Sequence, residues 1–423
     1  MASGPLDGIR ILEFTQIIAG PFACMMLADQ GAEVIKVEPP NGEPWRLFAQ
    51  FMPGESKTFQ ELNRGKQSLV LDMSNTVAQE AIHKLIPAVD VVVINYRPDV
   101  AAKLRIDYPT LSAIRPDLIY IDNTAFGRKG PLSNQPGYDI VVQAVSGLMV
   151  GEAKFGPDGR PETITSTAIA DYGTGLAIAW AVTSALYHRE RTGEGQMVET
   201  SLLSTALAFQ GSAVMEHPIA DAGLRAPMRE RRRQLQAEGA SYQEMVAARN
   251  PVRAFAANIY YRTFLTKDGA IAIGALSPTL WAKVRGALET DFLGIADPNF
   301  RLDPEYLAEA AKRVAEVEAH VRTRTTAEWI ERLNAAGVPV GAVQFPEDMS
   351  ENPQVIANEM MVDLEHDLSG PQKMVAPILR MHKSPMAAQG AAPPLGRDTD
   401  KYLREAGFSD AAIEDLRVRG VIQ

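Results

Sequence analysis

Cysteine is nearly absent from this chain, which holds Cys24 alone among 423 residues. A single thiol excludes an intrachain disulfide framework and a cysteine-rich metal site. The apolar side chains around it favour a buried, inert thiol over a reactive one. Because disulfide-free chains are typical of reducing compartments, we expect a cytoplasmic protein.

Histidine is also scarce, and the glycine pattern of dinucleotide enzymes is missing. The six histidines stand apart, with none at the spacing of a metal-binding pair, so we expect no bound metal. Between Phe14 and Pro21, where a dinucleotide enzyme carries Gly-x-Gly-x-x-Gly, only Gly20 is present. Glu38 occupies the place of a ribose-binding acid, but without the glycines it does not predict NAD binding.

Positive charge and long apolar runs are both in short supply. With a formal net charge of -10, the chain lacks the basic surface that non-specific nucleic-acid binding requires. No run approaches the ~18 apolar residues of a membrane span, and even residues 176–186 lead into a charged segment. The first residues lack the basic and apolar regions of a secretory signal. We therefore expect neither nucleic acid nor membrane as a partner.

The composition is otherwise that of a folded protein, 46% apolar and 22% charged. A chain of this length exceeds what one hydrophobic core usually supports, so we expect two domains. We predict a large domain over residues 1–220, an exposed helical linker over 221–253, and a small α/β domain over 254–345. A return segment over 346–423 is expected to complete the large domain.

Short β-branched runs alternate with helical patterns through the first half of the chain. This alternation predicts an α/β fold with a parallel sheet covered on both faces, where ligands bind at the carboxyl ends of strands. The predicted strands cover residues 9–14, 33–38, 68–72, 90–95, 118–123 and 196–201, and the predicted helices cover 21–30, 76–86, 137–150 and 172–191. The second domain is expected to hold strands 259–266 and 270–274 with helices 278–288, 305–322 and 326–337, before a helical tail from residue 397.

Asp171 is the most informative acid, because it stands between a run of small residues, 165–170, and Gly173-Thr-Gly175. We predict that an apolar helix begins directly after it, at Tyr172. Taken alone, an aspartate in this place is an ordinary N-cap. The alternative is catalytic: the helix N-terminus would keep the carboxylate ionised, the glycines would leave room for a substrate, and such a carboxylate is a nucleophile.

Asp139 opens a second predicted helix, and by itself it is most simply another capping residue. Both acids end strand-to-helix connections, so they could converge on one cleft. We expect Tyr138 and Ile140 to crowd Asp139. That leaves Asp171 as the accessible nucleophile and gives Asp139 an orienting or screening role.

Short matching segments in a fixed order extend over almost the whole chain. They cover residues 5–14, 31–38, 63–66, 95–98, 137–139, 170–175, 188–196 and 395–400. In order and spacing the chain resembles the class III CoA-transferases, the family of formyl-CoA transferase, carnitine CoA-transferase and the related α-methylacyl-CoA racemases.

The resemblance implies a Rossmann-like large domain, a smaller α/β domain, and two identical chains interlocked as a ring-like homodimer. It implies that Asp171 attacks the thioester of an acyl-CoA to give a mixed anhydride, which the released CoA thiolate converts to an aspartyl-CoA thioester. A small carboxylic acid then attacks this thioester. Coenzyme A, bound as acyl-CoA, and the free acid are the substrates so implied.

By the same resemblance, CoA lies along the strand ends of the large domain. The residues matched to its contacts are Ile18 and Ala19 at the pantetheine, and Leu71, Asn95, Tyr96, Arg97 and Lys103 at the nucleotide end. Arg97 and Lys103 have the charge to bind phosphate. A role as solvated surface cations fits them equally well. Pro39 and Ser74 stand where formyl-CoA transferase has basic residues.

The main alternative within the family is the racemase, which removes a proton beside the thioester carbonyl with a histidine that directly precedes the acid matched by Asp139. Here that residue is Tyr138, and a tyrosine phenol, with an ordinary pKa of about 10, is a poor base at neutral pH. We therefore favour the transferase. A non-catalytic CoA-binding protein is a third alternative, which the retention of Asp171 among small residues disfavours.

Candidates for acyl-group recognition lie near the start of the second domain. Arg249, Arg253 and Arg262 could pair with the distal carboxylate of a dicarboxylic acid such as succinate. Interdomain salt bridges would use the same residues, so both interpretations stay open. The glycine-rich loop of formyl-CoA transferase has no clear counterpart over residues 250–275, and oxalate and formate are therefore not carried over as substrates.

Overall fold

The computed structural model describes residues 4–165, 167–223, 225–249, 257–301 and 304–423. Its contacts divide the chain into two compact units. The large unit is Met1–His217 with Pro353–Gln423, and the small unit is Pro218–Asn352. The described residues of the expected linker 221–253 fall within the small unit, as do residues 346–352 of the expected return segment. Residues 224 and 250–253 of that linker lie outside the described residues.

A parallel sheet forms the centre of the large unit. The strands up to His217 are β1 (Arg10–Phe14), β2 (Glu33–Glu38), β3 (Gln50–Met52), β4 (Glu55–Ser56), β5 (Gln67–Val70), β6 (Val91–Ile94), β7 (Ile119–Thr124) and β8 (Met197–Ser201). Six of them form one sheet in the order β5-β2-β1-β6-β7-β8, and every neighbouring pair is parallel. The predicted α/β fold with a parallel sheet is confirmed.

Helices connect these strands. They are α1 (Ala19–Asp29), α2 (Pro44–Leu47), α3 (Lys57–Asn63), α4 (Thr76–Leu85), α5 (Pro98–Lys103), α6 (Tyr108–Ser112), α7 (Asp139–Val145), α8 (Leu148–Gly151), α9 (Ile169–Thr192) and α10 (Leu202–Gln210). The hairpin of β3 and β4 lies outside the parallel sheet.

The small unit has its own sheet and its own core. Helices α11 (Pro218–Ala222), α12 (Arg225–Ala237) and α13 (Tyr242–Arg249) come first, and α12 buries only Leu235 among the residues described there. Then follow β9 (Tyr261–Leu265), β10 (Ala270–Gly274), α14 (Pro278–Ala287), α15 (Pro304–Val321), α16 (Thr326–Ala335) and β11 (Val340–Ala342). The three strands form an antiparallel sheet centred on β10, and Trp329 packs in the core beside it.

The chain then returns to the large unit with α17 (Pro353–Ala357), the hairpin of β12 (Met361–His366) and β13 (Gly370–Val375), α18 (Thr399–Glu405) and α19 (Asp410–Val418). Successive side chains of a strand face opposite sides of the sheet. Leu12 of β1 therefore packs with Ile82 of α4 and Tyr402 of α18, whereas its neighbour Ile11 packs with Ile178 of α9. No described helix is long and apolar enough to cross a bilayer.

Two helix bounds near the predicted site differ from our expectation. The helix predicted over residues 137–150 is two helices, because Gly147 has a φ of 83° between α7 and α8. Helix α9 begins at Ile169, before the predicted start at Tyr172, and ends where Gly193 adopts a φ of 75°. Glycine suits this left-handed position because it has no Cβ. Asp171 consequently lies inside the first turn of α9.

Candidate active site

A cleft of about 510 Å³ opens at the carboxyl ends of the parallel strands. Loops that follow β1, β2, β6 and β7 form its walls, and the residues that line it all belong to the large unit. They include Gln16, Ile17, Glu38, Glu43, Leu71, Asn95, Tyr96, Arg97, Asn123, Tyr138, Asp171 and Leu202. This is the edge of the sheet where ligands are expected in an α/β fold.

Asp171 lies in the wall of this cleft and is only 8% exposed. The capping interpretation for it is wrong, because Asp139 caps this helix from another part of the chain. The Asp139 Oδ1 atom accepts hydrogen bonds from the backbone N–H groups of Ala170, at 2.7 Å, and of Asp171, at 3.3 Å. Among the described residues no group donates to the Asp171 carboxylate, which leaves it available in the cleft.

The glycines beside Asp171 serve packing and not, as we predicted, substrate access. A Cβ placed on Gly173 would lie 2.3 Å from the Phe209 ring, and one on Gly175 would lie 2.8 Å from the Ala19 carbonyl oxygen. Real Cβ atoms do not approach other atoms so closely. These glycines therefore allow α9 to pack tightly against α10 and α1.

Asp171 has a strongly perturbed acidity. Its burial and, to a smaller extent, the negative charge of Asp139 raise its pKa from an ordinary 3.8 to about 7. We had expected the helix N-terminus to keep this carboxylate ionised, but desolvation and a like charge outweigh that field. The protonation of Asp171 is therefore expected to change near neutral pH.

Asp139 is the first residue of α7 and is 8% exposed. Its Oδ2 atom accepts a hydrogen bond from the side-chain amide of Gln143, whose own oxygen accepts one from Ile164 N at 3.2 Å. The crowding we expected around it is wrong, because Tyr138 is 59% exposed and Ile140 is 54% exposed. The i,i+4 spacing of Asp139 and Gln143 was a signal for this pair that our sequence analysis missed.

Only some of the residues that we matched to CoA contacts line the cleft. Four of them line the cleft, namely Leu71, Asn95, Tyr96 and Arg97, and so do Pro39 and Ser74. Ile18 and Ala19 are buried and lie outside the lining, where Ile17 takes their place. Lys103 ends α5 as an exposed residue away from the lining. The assignment of these seven residues to CoA stays a prediction.

Two of these residues already have protein partners. Asn95 bridges the backbone of Gln16, accepting from its N–H at 3.1 Å and donating to its carbonyl at 2.9 Å. The Arg97 guanidinium pairs with Asp99 at 2.9 Å in an exposed ion pair. A pair of this kind contributes little stability, so Arg97 can exchange Asp99 for a phosphate at small cost.

Comparisons with known proteins agree with this architecture. A sequence model described as "CoA-transferase family III" matches residues 6–399. The chain belongs to this family. Succinyl-CoA:glutarate CoA-transferase of Mus musculus is 31% identical to this CoA-transferase over 99% of the chain and 90% of the mouse protein. Acetyl-CoA:oxalate CoA-transferase of Acetobacter aceti is 31% identical over 85% of the chain and 86% of its own length.

Solved structures show the same fold. The crystal structure of Rv3272 from Mycobacterium tuberculosis has a TM-score of 0.74 at 27% identity and covers 95% of this chain and 100% of its own. A CAIB/BAIF family protein from Brucella suis has a TM-score of 0.72 at 27% identity, with coverage of 96% and 100%. This transferase is therefore a class III acyl-CoA:carboxylate CoA-transferase, whose substrates are acyl-CoA thioesters and carboxylates.

A buried ion cluster, which we define as Glu13, Lys36, Glu43 and Lys66, was not predicted from the sequence. Each of these side chains is at most 3% exposed. Charged residues are rarely buried unless they are paired. The local signal for it was Lys36 among the apolar residues at the centre of β2.

Asn123 is a second residue that our sequence analysis missed. It ends β7, lines the cleft of the transferase and is 3% exposed. Its Oδ1 atom is buried and has no hydrogen-bond partner among the described residues. Buried polar atoms are usually paired, so this amide is a candidate contact for substrate.

The arginines considered for acyl recognition give no such site in the described part of the chain. Arg262 forms an ion pair with Glu318 inside the small unit. Arg253 and the side chain of Arg249 lie outside the described residues. Within the described ranges, no group of three or more histidine, cysteine, aspartate or glutamate side chains is arranged to hold a metal ion.

Proposed function

We propose that this enzyme transfers CoA through covalent intermediates on Asp171. The observation that carries the proposal is the position of its carboxyl group, which lies in the wall of the cleft without a hydrogen-bond donor among the described residues. The same cleft reaches Asn95, Tyr96 and Arg97. One acyl-CoA molecule can therefore contact both regions.

The proposed steps conserve charge and atoms. The Asp171 carboxylate attacks the thioester carbonyl, so that a carbon–oxygen bond forms, the carbon–sulfur bond breaks and CoA leaves as a thiolate. The thiolate attacks the Asp171 carbonyl carbon of this anhydride, which releases the donor acid and leaves an aspartyl-CoA thioester. The acceptor carboxylate attacks that thioester and releases the thiolate again. Attack of the thiolate on the acceptor acyl carbon then gives the new acyl-CoA and free Asp171.

Asp139 is proposed to hold the first turn of α9 and to raise the pKa of Asp171. Its carboxylate fixes the N–H groups of Ala170 and Asp171, and its negative charge adds to the pKa rise of Asp171. In both covalent intermediates Asp171 is uncharged. The repulsion between the two carboxylates is therefore relieved when the nucleophile reacts.

A dicarboxylic acid is proposed as one of the two acid substrates. The names of the relatives in mouse, Agrobacterium fabrum and Haloarcula hispanica combine succinyl-CoA or succinate with glutarate or mesaconate. Similar identity to each of them, between 30% and 31%, supports the class and not one particular acid.

An interlocked homodimer is part of the same proposal. Helices α9 and α10 leave large apolar side chains on the surface of the single chain, among them Trp180, Tyr187 and Phe209. Exposed apolar groups of this size are typical of surfaces that another chain covers. The buried side of α9 packs under the sheet, so its free side is available for a second copy.

A panel of acyl-CoA donors and free acids, with the CoA products identified by mass spectrometry, tests the reaction. We expect CoA to move to a carboxylic acid, and we expect hydroxylamine, added after an acyl-CoA, to modify Asp171. The Asp171→Asn variant is the control and should show neither result. Loss of stereochemistry in a chiral 2-methylacyl-CoA, without any transfer, would replace the proposal with the racemase.

A further inference from the structure

The loop between β1 and α1 contains a strained residue. Ile17 has a φ of 73°, in the left-handed region that β-branched residues rarely adopt. Gln16 and Ile17 both line the cleft, so the strain lies in the wall that an acyl-CoA would contact. Strained backbone persists only where surrounding contacts hold it, and it concentrates at functional sites.

Glu43 supplies the contact that holds Ile17. Its Oε2 atom accepts a hydrogen bond from the Ile17 N–H at 2.7 Å, although the two residues are far apart in sequence. Glu43 is 2% exposed, and the Lys36 ammonium lies 2.8 Å from its other carboxylate oxygen. Both oxygens of this buried carboxylate are therefore occupied, one by the ion cluster and one by the loop.

The rest of the ion cluster binds the start of the same loop and the first turn of α1, which follows it. Lys36 donates to the Thr15 carbonyl at 2.9 Å, and Lys66 donates to the Pro21 carbonyl at 2.9 Å. Glu13 joins the two lysines, at 3.1 Å from Lys36 and 2.8 Å from Lys66. The cluster thus binds the backbone before, at and after the strained residue, the last of these contacts lying in α1.

Such a cluster is costly to bury, because apolar side chains of similar volume would fill the same space without desolvating charges. Its contacts converge on one loop, and that loop forms the cleft wall. The arrangement therefore indicates a functional requirement for the loop conformation, rather than a requirement for stability alone.

We infer that Glu43 is a positioning residue for acyl-CoA, because its carboxylate holds Ile17 in the conformation that shapes the cleft. The inference rests on the proposed function only in taking this cleft as the CoA site. A purely electrostatic role predicts the opposite result. CoA is an anion, so the loss of a carboxylate from the cleft wall would tighten its binding if charge alone mattered.

Two uncharged variants separate these effects. Glu43→Gln and Glu43→Leu remove the same charge, but only glutamine keeps an oxygen that can accept the Ile17 N–H bond. We expect Glu43→Leu to weaken binding of free CoA, measured by calorimetry, by on the order of tenfold. We expect Glu43→Gln to stay within about threefold of the wild type. The KM for acyl-CoA should follow the same pattern, while kcat changes by less than about threefold.

A double-mutant comparison shows whether the effect passes through Ile17. Glycine adopts a left-handed φ without strain, so Ile17→Gly should make the loop less dependent on Glu43. In that background, Glu43→Leu should weaken CoA binding by less than about threefold. Glu43→Met replaces the leucine variant if the latter does not fold.

The outcomes separate this inference from the proposed function. Equal affinities for the glutamine and leucine variants, tighter CoA binding by both, or an undiminished loss in the Ile17→Gly background would overturn the role of Glu43. Absence of CoA binding by the wild type would overturn it as well. If CoA binds and the variants behave as expected while no acid accepts CoA, the positioning role stands and the proposed function fails.

Discussion

Replacing Asp171 with asparagine should abolish CoA transfer and, at about pH 8, make the folded protein harder to unfold. The substitution keeps the size of the side chain and removes its charge. Within the described residues it breaks no hydrogen bond to the carboxylate, because Asp139 accepts the first-turn N–H bonds of α9. The change in stability therefore reports the cost of holding a negative charge in the cleft.

The magnitude follows from the pKa of Asp171. A carboxyl group whose pKa is higher in the folded state binds its proton more tightly there, so stability is lost as the pH rises from the unfolded pKa through the folded one. The rise in pKa from 3.8 to about 7 lowers the free energy of unfolding of the wild type by ~4 kcal/mol at about pH 8, at 1.36 kcal/mol for each pH unit. By the same linkage this destabilisation is ~2 kcal/mol at about pH 5 and less than ~1 kcal/mol at about pH 4.

Urea unfolding followed by circular dichroism, at about pH 8, 5 and 4, measures this difference. The asparagine variant should have a higher urea midpoint than the wild type at the highest pH, a smaller gain at the middle pH and almost none at the lowest. Asp7→Asn, which alters an exposed carboxylate, is the control and should change none of the midpoints. A gain of equal size at every pH would refute the charge argument, and so would a loss of stability at about pH 8.

Further predictions concern the reaction and the assembly. The value of kcat/KM should fall as the pH drops below about 7, because protonated Asp171 cannot attack, and a flat pH profile would contradict this. Asp139→Asn should move that fall to lower pH, because it removes a like charge, and should reduce transfer less than Asp171→Asn; the same titration measures both effects. Sedimentation should show a dimer that does not dissociate on dilution, and a reversible monomer at about micromolar concentration would exclude interlocked chains.

Local sequence patterns were sufficient to predict many of the helices and strands of this protein. The β-branched runs and the helical spacings predicted the parallel sheet, because each element carries its own periodicity of apolar residues. The run of small residues and glycines around Asp171 also marked that acid without any knowledge of its neighbours. The convergence of Asp139 and Asp171 was expected from two separate strand-to-helix connections, but both acids lie in the one connection between β7 and β8, where α9 follows α8 and not a strand.

The tertiary structure alone decided how these residues act. Asp139 caps α9 from a distant helix, so both the start of α9 and the acidity of Asp171 depend on a contact that no local pattern records. The bond from Ile17 to Glu43 and the burial of Lys36 depend in the same way on residues brought together by folding. Desolvation and charge pairing depend on the three-dimensional surroundings of a group, whereas apolar periodicity can be recognised in the sequence itself. For that reason the sequence by itself determined the elements and the candidate nucleophile, and only the fold determined the charge state and the shape of its cleft.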